Sequence, residues 1–326
     1  MKVAVYYNNK DIRIEESPKP KPNDKEILVK VHSCGICGSD IVEWYRLPRA
    51  PLVQGHEMSG EIVEVGSCVS KFKIGDRVFA APKVGCGECK YCKKGHHSIC
   101  PNVKARLPGA YSEYVLVPEE LASKVVFLLP EKVSYDAATF IEPLACVIRS
   151  QKFSGIKEGD SVLVIGSGMS GLLQIKYAIS KGAKVTATDI NEKRLEFAKK
   201  LGAKAVNAKE DIKEKFDVVI LCAASLKAFE QAWKSVDLGG VVVLFTVPSP
   251  DKKVVVPVND FWRKEVKIIS SYYCGPDDLK ESLDLICSNK IEVEDMITHR
   301  LPLVDIQKGF DLVVEGKDSI KVIVKP

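Results

Sequence analysis

Ser161-Val162-Leu163-Val164-Ile165-Gly166-Ser167-Gly168-Met169-Ser170-Gly171 decides the fold class of this chain: a short apolar strand runs into Gly-x-Gly-x-x-Gly, and a helical pattern follows through Lys181. The first glycine permits a tight turn and the second lets a backbone approach a pyrophosphate. The third allows helix and strand to pack closely, while the helix N-terminus attracts the anion. The spacing alone is weak evidence, and its context strengthens it. The next strand, Lys184–Thr188, leads to Asp189, 18 residues past Gly171, where a carboxylate is placed to accept hydrogen bonds from ribose hydroxyls. That charge would repel a 2′-phosphate, so NAD is expected in preference to NADP. The expected cofactor contacts are Gly166, Gly168, Met169, Ser170, Gly171 and Asp189, with Arg194 covering the adenine. An ordinary N-cap role for Asp189, ahead of the helix at Glu192, is compatible with them.

Working outward, strands and helices alternate: Gly171–Lys181, Lys184–Thr188, Glu192–Leu201, Phe216–Cys222, Leu226–Val236, Gly240–Val247 and Val266–Ser270. Such alternation indicates βαβ units and a parallel sheet, because parallel neighbours need a crossover helix. Before about residue 145 the pattern is short and β-rich, with β-branched runs at Ile27–His32, Glu61–Val65 and Arg77–Ala80. After Gly275-Pro276 come two helical segments, Asp277–Ser288 and Leu303–Glu315, and a closing strand, Ile320–Val324. This tail has no partners of its own and is expected to pack on the N-terminal domain. The expected division is therefore 146–274 for a doubly wound dinucleotide-binding domain, and 1–145 with 275–326 for a discontinuous, β-rich one.

Cys86, Cys89, Cys92 and Cys100, spaced C-x2-C-x2-C-x7-C, lie in a polar stretch without apolar periodicity. Four thiolates so close together suit a tetrahedral Zn²⁺, and a closed four-sulfur site leaves no position for substrate. The quartet reads as structural. A second set differs in kind: Cys37, His56, Glu57 and Glu142 offer a thiolate, an imidazole and carboxylates. A mixed set with one open position is a catalytic zinc arrangement.

Composition narrows the rest. A chain of 326 residues has room for two cores. The net charge of +5, from 48 basic and 43 acidic residues interspersed, is too small a bias for a nucleic-acid or membrane partner. The first residues are too short an apolar run for a signal peptide, and no stretch approaches the roughly 18 apolar residues of a membrane span. Eleven scattered cysteines, an odd number, fit a reducing compartment better than a disulfide framework, so a cytoplasmic protein is expected.

The chain resembles the zinc-dependent medium-chain dehydrogenases, in particular the branch with sorbitol (polyol) and threonine dehydrogenases. The motifs that carry the resemblance span nearly its whole length: Cys37-Gly38-Ser39-Asp40, Gly55-His56-Glu57, the cysteine quartet, Glu142-Pro143-Leu144, the glycine turn, Thr298-His299-Arg300-Leu301-Pro302-Leu303 and Gly316-Lys317-Asp318-Ser319-Ile320-Lys321. It implies a GroES-like catalytic domain built from the two chain ends, a Rossmann domain between them and an active site in the cleft. It also implies reversible oxidation of a polyol, sugar or secondary alcohol, with hydride passing from a zinc-bound alkoxide to the nicotinamide. Cys37 rather than Cys34 is then the metal ligand, since it directly precedes Gly-Ser-Asp. Glu57 and Glu142 each bind the metal or hold its water.

Ser39 is expected to take the substrate proton, or alternatively to cap the following helix. Many relatives place a histidine five residues after the ligand cysteine to pass that proton on, and this chain has Val42 there. Water with the ribose hydroxyls, Glu43 or Glu142 is then left to finish the relay. The resemblance further places Lys321 at the cofactor pyrophosphate, Arg300 at a second substrate hydroxyl or in a surface ion pair, and Asp40 behind the metal ligands. A homo-oligomer, dimer or tetramer, is expected, with Gly240–Val247 as an interface strand. Two competing readings are a threonine dehydrogenase and a non-catalytic protein that binds NAD and zinc on the same fold.

Overall fold

The computed structural model describes residues 1–326. They form two compact units, Met1–Ala145 with Cys274–Pro326, and Cys146–Tyr273. Cys274 falls in the first unit, one residue from the expected boundary.

In the second unit six strands form a single parallel sheet, ordered Lys204–Asn207, Lys184–Asp189, Ser161–Ile165, Phe216–Leu221, Val236–Leu244, Lys267–Ser270. Counted along the chain this is the doubly wound order 3-2-1-4-5-6, which reverses beside its first strand. Val162, Leu163 and Val164 are fully buried, the reason that strand reads as an unbroken apolar run. The helix Met169–Ser180 buries Leu172, Leu173, Ile175 and Ala178. Each fully buried leucine contributes about 1.5–3 kcal/mol relative to exposure.

The strand expected over Gly240–Val247 runs Val236–Leu244 and is hydrogen-bonded on both sides, so the free edges of this sheet are Lys204–Asn207 and Lys267–Ser270. The strand Lys204–Asn207 itself has no counterpart in the sequence reading, because a four-residue edge strand carries too little alternation to stand out.

The first unit is built on a seven-stranded, mostly antiparallel sheet that contains Arg77–Ala80, Glu57–Val65, Ile27–Gly35, Lys321–Lys325 and Ile297–Pro302 in that order. The C-terminal strand does return to the N-terminal domain: Ile323 and Val324 pair with Gly35 and Cys34. Gly35 is also opposite Glu57. The register thus brings residues 57 and 321 to the same glycine, where a Cβ would collide with both side chains. The helix Ile141–Ser154 carries Glu142 in its first turn. Pro143 sits in that first turn, where a missing N–H costs nothing. No helix is long and apolar enough to cross a membrane.

Candidate metal centres and cofactor turn

In the cysteine quartet the four sulfurs all lie within 4.8 Å of one another. Measured separations are 3.6 Å for Cys100–Cys86, 3.8 Å for Cys89–Cys100 and 4.0 Å for Cys86–Cys92. Four sulfurs about 2.3 Å from one zinc would stand about 3.8 Å apart at tetrahedral angles, so the donor set fits the ion. Backbone N–H groups of Cys86, Cys89, Cys92 and Asn102 point at the sulfurs. The N–H groups of Cys89 and Glu88 lower the Cys86 thiol to about 6, whereas burial and the neighbouring thiols push Cys92 up to about 12, so the charge of a bound metal would have to bring the full set to thiolates. Beyond the sulfurs only Val103 packs into this cluster. A lobe with so small a core would gain order from a metal held by the four sulfurs. Cys89→Ser is expected to remove one zinc and to cost at least about 2 kcal/mol of stability in denaturant titrations while kcat stays within about threefold. A normal melting profile with collapsed turnover would show that the quartet is not structural.

Cys37, His56 and Glu57 form a second group, again with ligand atoms within 4.8 Å of one another. Cys37 follows the end of the strand Ile27–Gly35, and Glu57 opens the strand Glu57–Val65 with His56 just before it, so two paired strands deliver the donors. Cys34 is fully buried, its thiol directed at the Gly35 carbonyl, and lies outside the group. Glu57 is fully buried; its Oε2 is paired with the Lys321 ammonium, while its Oε1 has no hydrogen-bond partner. A buried carboxylate oxygen without a hydrogen-bond partner, beside a thiol and an imidazole, makes a donor set that fits a zinc ion. Glu142 is buried in the helix Ile141–Ser154 and is not a member of this group.

Behind the ligands sits Asp40, fully buried. Its Oδ2 accepts from the Cys37 N–H at 3.1 Å and the Tyr111 hydroxyl at 2.7 Å. Its Oδ1 accepts from Arg46 at 2.7 Å and lies 3.4 Å from His56 Nδ1. Burial alone would raise the Asp40 carboxyl, but His56, Arg46 and Tyr111 outweigh it and hold it down at about 2. Burial likewise works against a charged His56, and the charges of Asp40 and Cys37 prevail to raise it. Asp40 thus orients the imidazole, a role that fixes which ring nitrogen faces a metal. Ser39 does not cap the next helix: Val42 occupies the N-cap of Glu43–Arg46 without a side-chain bond. Instead Ser39 Oγ accepts from Arg46 at 3.0 Å. Glu43 accepts the Asn9 N–H. The roles of Arg46 and of the Glu57–Lys321 pairing are not legible in the sequence, because their partners are set by the folded chain and not by local spacing.

Lys321 calls for a correction. It is fully buried with its ammonium on Glu57, 5.1 Å from the Phe140 ring centre, and a cation so enclosed is not presented to a pyrophosphate. Arg300 is half exposed and donates to Asp136 at 2.6 Å, which makes it an ion-pair partner in the structure. Asp136 also accepts from Ser33 and Lys325. Burial raises its carboxyl, but these partners reverse the shift and lower it.

In the second unit the glycine turn has the features a dinucleotide needs. Gly166 has φ of +94°, open to glycine at no cost, and its N–H bonds the Thr188 carbonyl at 2.7 Å. A Cβ at Gly171 would strike the Gly166 carbonyl oxygen, whereas one at Gly168 would meet nothing nearer than Arg194 at 3.7 Å. The second glycine therefore leaves open space for a ligand at the N-terminus of Met169–Ser180. Asp189 ends its strand and reaches back to the turn, with Oδ2 accepting the Ser167 N–H at 2.7 Å and Oδ1 the Asn191 N–H at 2.9 Å. The cap of the helix Glu192–Lys200 is Asn191, not Asp189. Arg194 stands 3.9 Å from the Asp189 carboxylate, its Nε buried without a partner.

Residues 23–130 match the model of the alcohol dehydrogenase GroES-like domain, and residues 171–288 that of the zinc-binding dehydrogenase. The chain belongs to the zinc-dependent medium-chain dehydrogenases. This dehydrogenase is 32% identical to a sorbitol dehydrogenase of Bacillus subtilis (strain 168), over all of its own length and 97% of the relative. It is 34% identical to an alcohol dehydrogenase of Geobacillus stearothermophilus, over 100% and 99% of the two chains. Among solved structures it is similar to a zinc-binding dehydrogenase from Sinorhizobium meliloti 1021 bound to NADP, with a TM-score of 0.89, 29% identity and coverage of 100% and 99%. The two units are accordingly a GroES-like domain and a Rossmann domain. With this family assigned, the protein is an enzyme and not a non-catalytic scaffold.

Proposed function

We propose that this dehydrogenase reversibly oxidises a polyol, sugar or secondary alcohol to the carbonyl, with NAD as the preferred hydride acceptor. The observation that carries the reading is the open donor group of Cys37, His56 and Glu57, in a chain whose glycine turn is held by Asp189. Bound zinc supplies Lewis acidity that lowers the pKa of a substrate hydroxyl. The residues of the chain do the rest. Cys37, His56 and Glu57 hold the ion, and Glu142 serves as an additional carboxylate for it or its water. Ser39, two residues past Cys37, accepts the substrate proton. The turn of Gly166, Gly168, Met169, Ser170 and Gly171 binds pyrophosphate, and Arg194 covers the adenine. The names of the relatives favour polyols and simple alcohols over threonine.

The reading extends to the setting of the enzyme. None of the eleven cysteines is in a disulfide, which suits a reducing cytoplasm. Trp262, Val258 and Val255 of the Rossmann unit are strongly exposed, which a homo-oligomer would cover. A panel of polyols, sugars, threonine and simple alcohols, followed by NADH absorbance, tests the substrate class; turnover of threonine alone would replace it.

Cofactor choice gives a second test. With the Asp189 carboxylate beside the turn, NADP is expected to be used about 100-fold less efficiently than NAD, since a like charge against the 2′-phosphate costs several kcal/mol. Asp189→Ala is expected to narrow that gap. Equal kcat/KM for both cofactors in the unaltered enzyme would overturn the ribose assignment.

A further inference from the structure

The relay histidine expected five residues after Cys37 is absent, and the structure shows what has taken hold of Ser39 instead. The Arg46 side chain, only 12% exposed, spends three N–H groups on the turn that follows Cys37. Its Nε donates to the Ser39 carbonyl at 3.0 Å, and its Nη2 donates to Ser39 Oγ at 3.0 Å and to Asp40 Oδ1 at 2.7 Å. Its guanidinium also lies 4.9 Å from the centre of the Tyr45 ring, a contact that favours a cation. Glu43, the other acceptor considered for the Ser39 proton, is turned to the Asn9 N–H.

We propose that Arg46 is a positioning residue for the proton-transfer step, an inference that rests on the dehydrogenase reading above. A guanidinium has donors and no acceptor. In its bond to Ser39 the oxygen must therefore accept, and the serine hydrogen must point elsewhere. One lone pair of Oγ is committed to Arg46 and one is left for the incoming substrate proton. The hydroxyl hydrogen leaves from the third direction. When the substrate proton arrives at Oγ, the original serine proton passes to water, and Arg46 keeps its own throughout. Arg46 thus orients the relay and places a permanent positive charge beside it, and it carries no proton itself. The same side chain neutralises Asp40 once His56 is a neutral metal ligand, so the turn between Cys37 and Asp40 keeps its shape.

The test compares zinc-loaded wild type, Arg46→Met and Arg46→Lys. Amide hydrogen exchange over residues 37–42 reads the clamp without reference to activity; steady-state kinetics with an accepted alcohol and NAD read its consequence. The expected results for Arg46→Met are exchange at least about tenfold faster in this turn and kcat lower by about 10- to 100-fold. KM is expected to stay within about threefold, with the same zinc content. The solvent isotope effect on kcat is expected to increase, and added guanidinium to restore part of the rate. Arg46→Lys, a point charge that cannot span three bonds, is expected to fall between. Unchanged exchange, or faster exchange with unchanged kcat, would overturn the proposal. So would a loss of kcat that follows zinc loss and is not rescued by guanidinium, which marks a purely structural role. Wild type inactive on every alcohol, together with altered exchange in Arg46→Met, would instead overturn the dehydrogenase reading and leave the clamp standing.

Discussion

Replacing Cys37 by alanine is expected to lower kcat/KM by at least about 10³-fold, equivalent to about 4 kcal/mol of lost transition-state stabilisation. Zinc content is expected to fall from two ions per chain to one. The thiolate is the only sulfur in the group with His56 and Glu57. Its removal takes away the ligand with the greatest softness and a full negative charge, and neither neighbour replaces it. The quartet, which lies in its own lobe around Val103, should keep its metal. The experiment is a joint measurement of metal content and NADH formation on the same preparation. An active Cys37→Ala enzyme with a single zinc would refute the assignment of the open group as catalytic.

Lys321→Met is expected to have the largest effect on stability. Both members of the Glu57–Lys321 pair are fully buried. Removing one partner of such a pair leaves an uncompensated charge and typically costs about 3–5 kcal/mol. Here the stranded group is the Glu57 carboxylate, one of whose oxygens already has no partner. The loss should be greatest in zinc-free protein and smaller when zinc is present, because the metal offers the carboxylate a second cation. Denaturant unfolding of the metal-free and zinc-loaded variant reads both. A loss below about 1 kcal/mol in the metal-free form would mean that the pair is not what balances Glu57.

The parts of this enzyme that were legible in the sequence are those whose chemistry is local. The strand from Ser161 and its glycines sit within a dozen residues, and a turn that requires φ of +94° at Gly166 declares itself by the residue placed there. The quartet spans Cys86 to Cys100 and needs no distant partner to be recognised. Ligand candidates at 37, 56 and 57 were visible because thiol, imidazole and carboxylate are scarce in combination. The pairing of Glu57 with Lys321 crosses 264 positions of sequence and depends on the register of two strands at Gly35. No spacing rule reaches that far. The family resemblance sets Lys321 at the cofactor pyrophosphate, whereas the folded chain buries it as the counter-charge of the Glu57 carboxylate. The helix Ile141–Ser154 has no counterpart in the sequence analysis; its Pro143 lies in the first turn, where a residue that breaks helices in their interior is harmless. Arg46 escaped notice since an arginine in a polar loop is ordinarily solvated, and only the fold turns it back on Ser39 and Asp40.

The central claim, that an ion held by Cys37, His56 and Glu57 is required for alcohol oxidation, is tested most directly by metal titration. Zinc is stripped from the enzyme and returned stepwise while NADH formation from an accepted polyol or alcohol is followed. The account requires about two ions per chain at saturation, with activity rising only as the site lost in Cys37→Ala is filled. Full activity in metal-free enzyme, or with the quartet alone occupied, would contradict it.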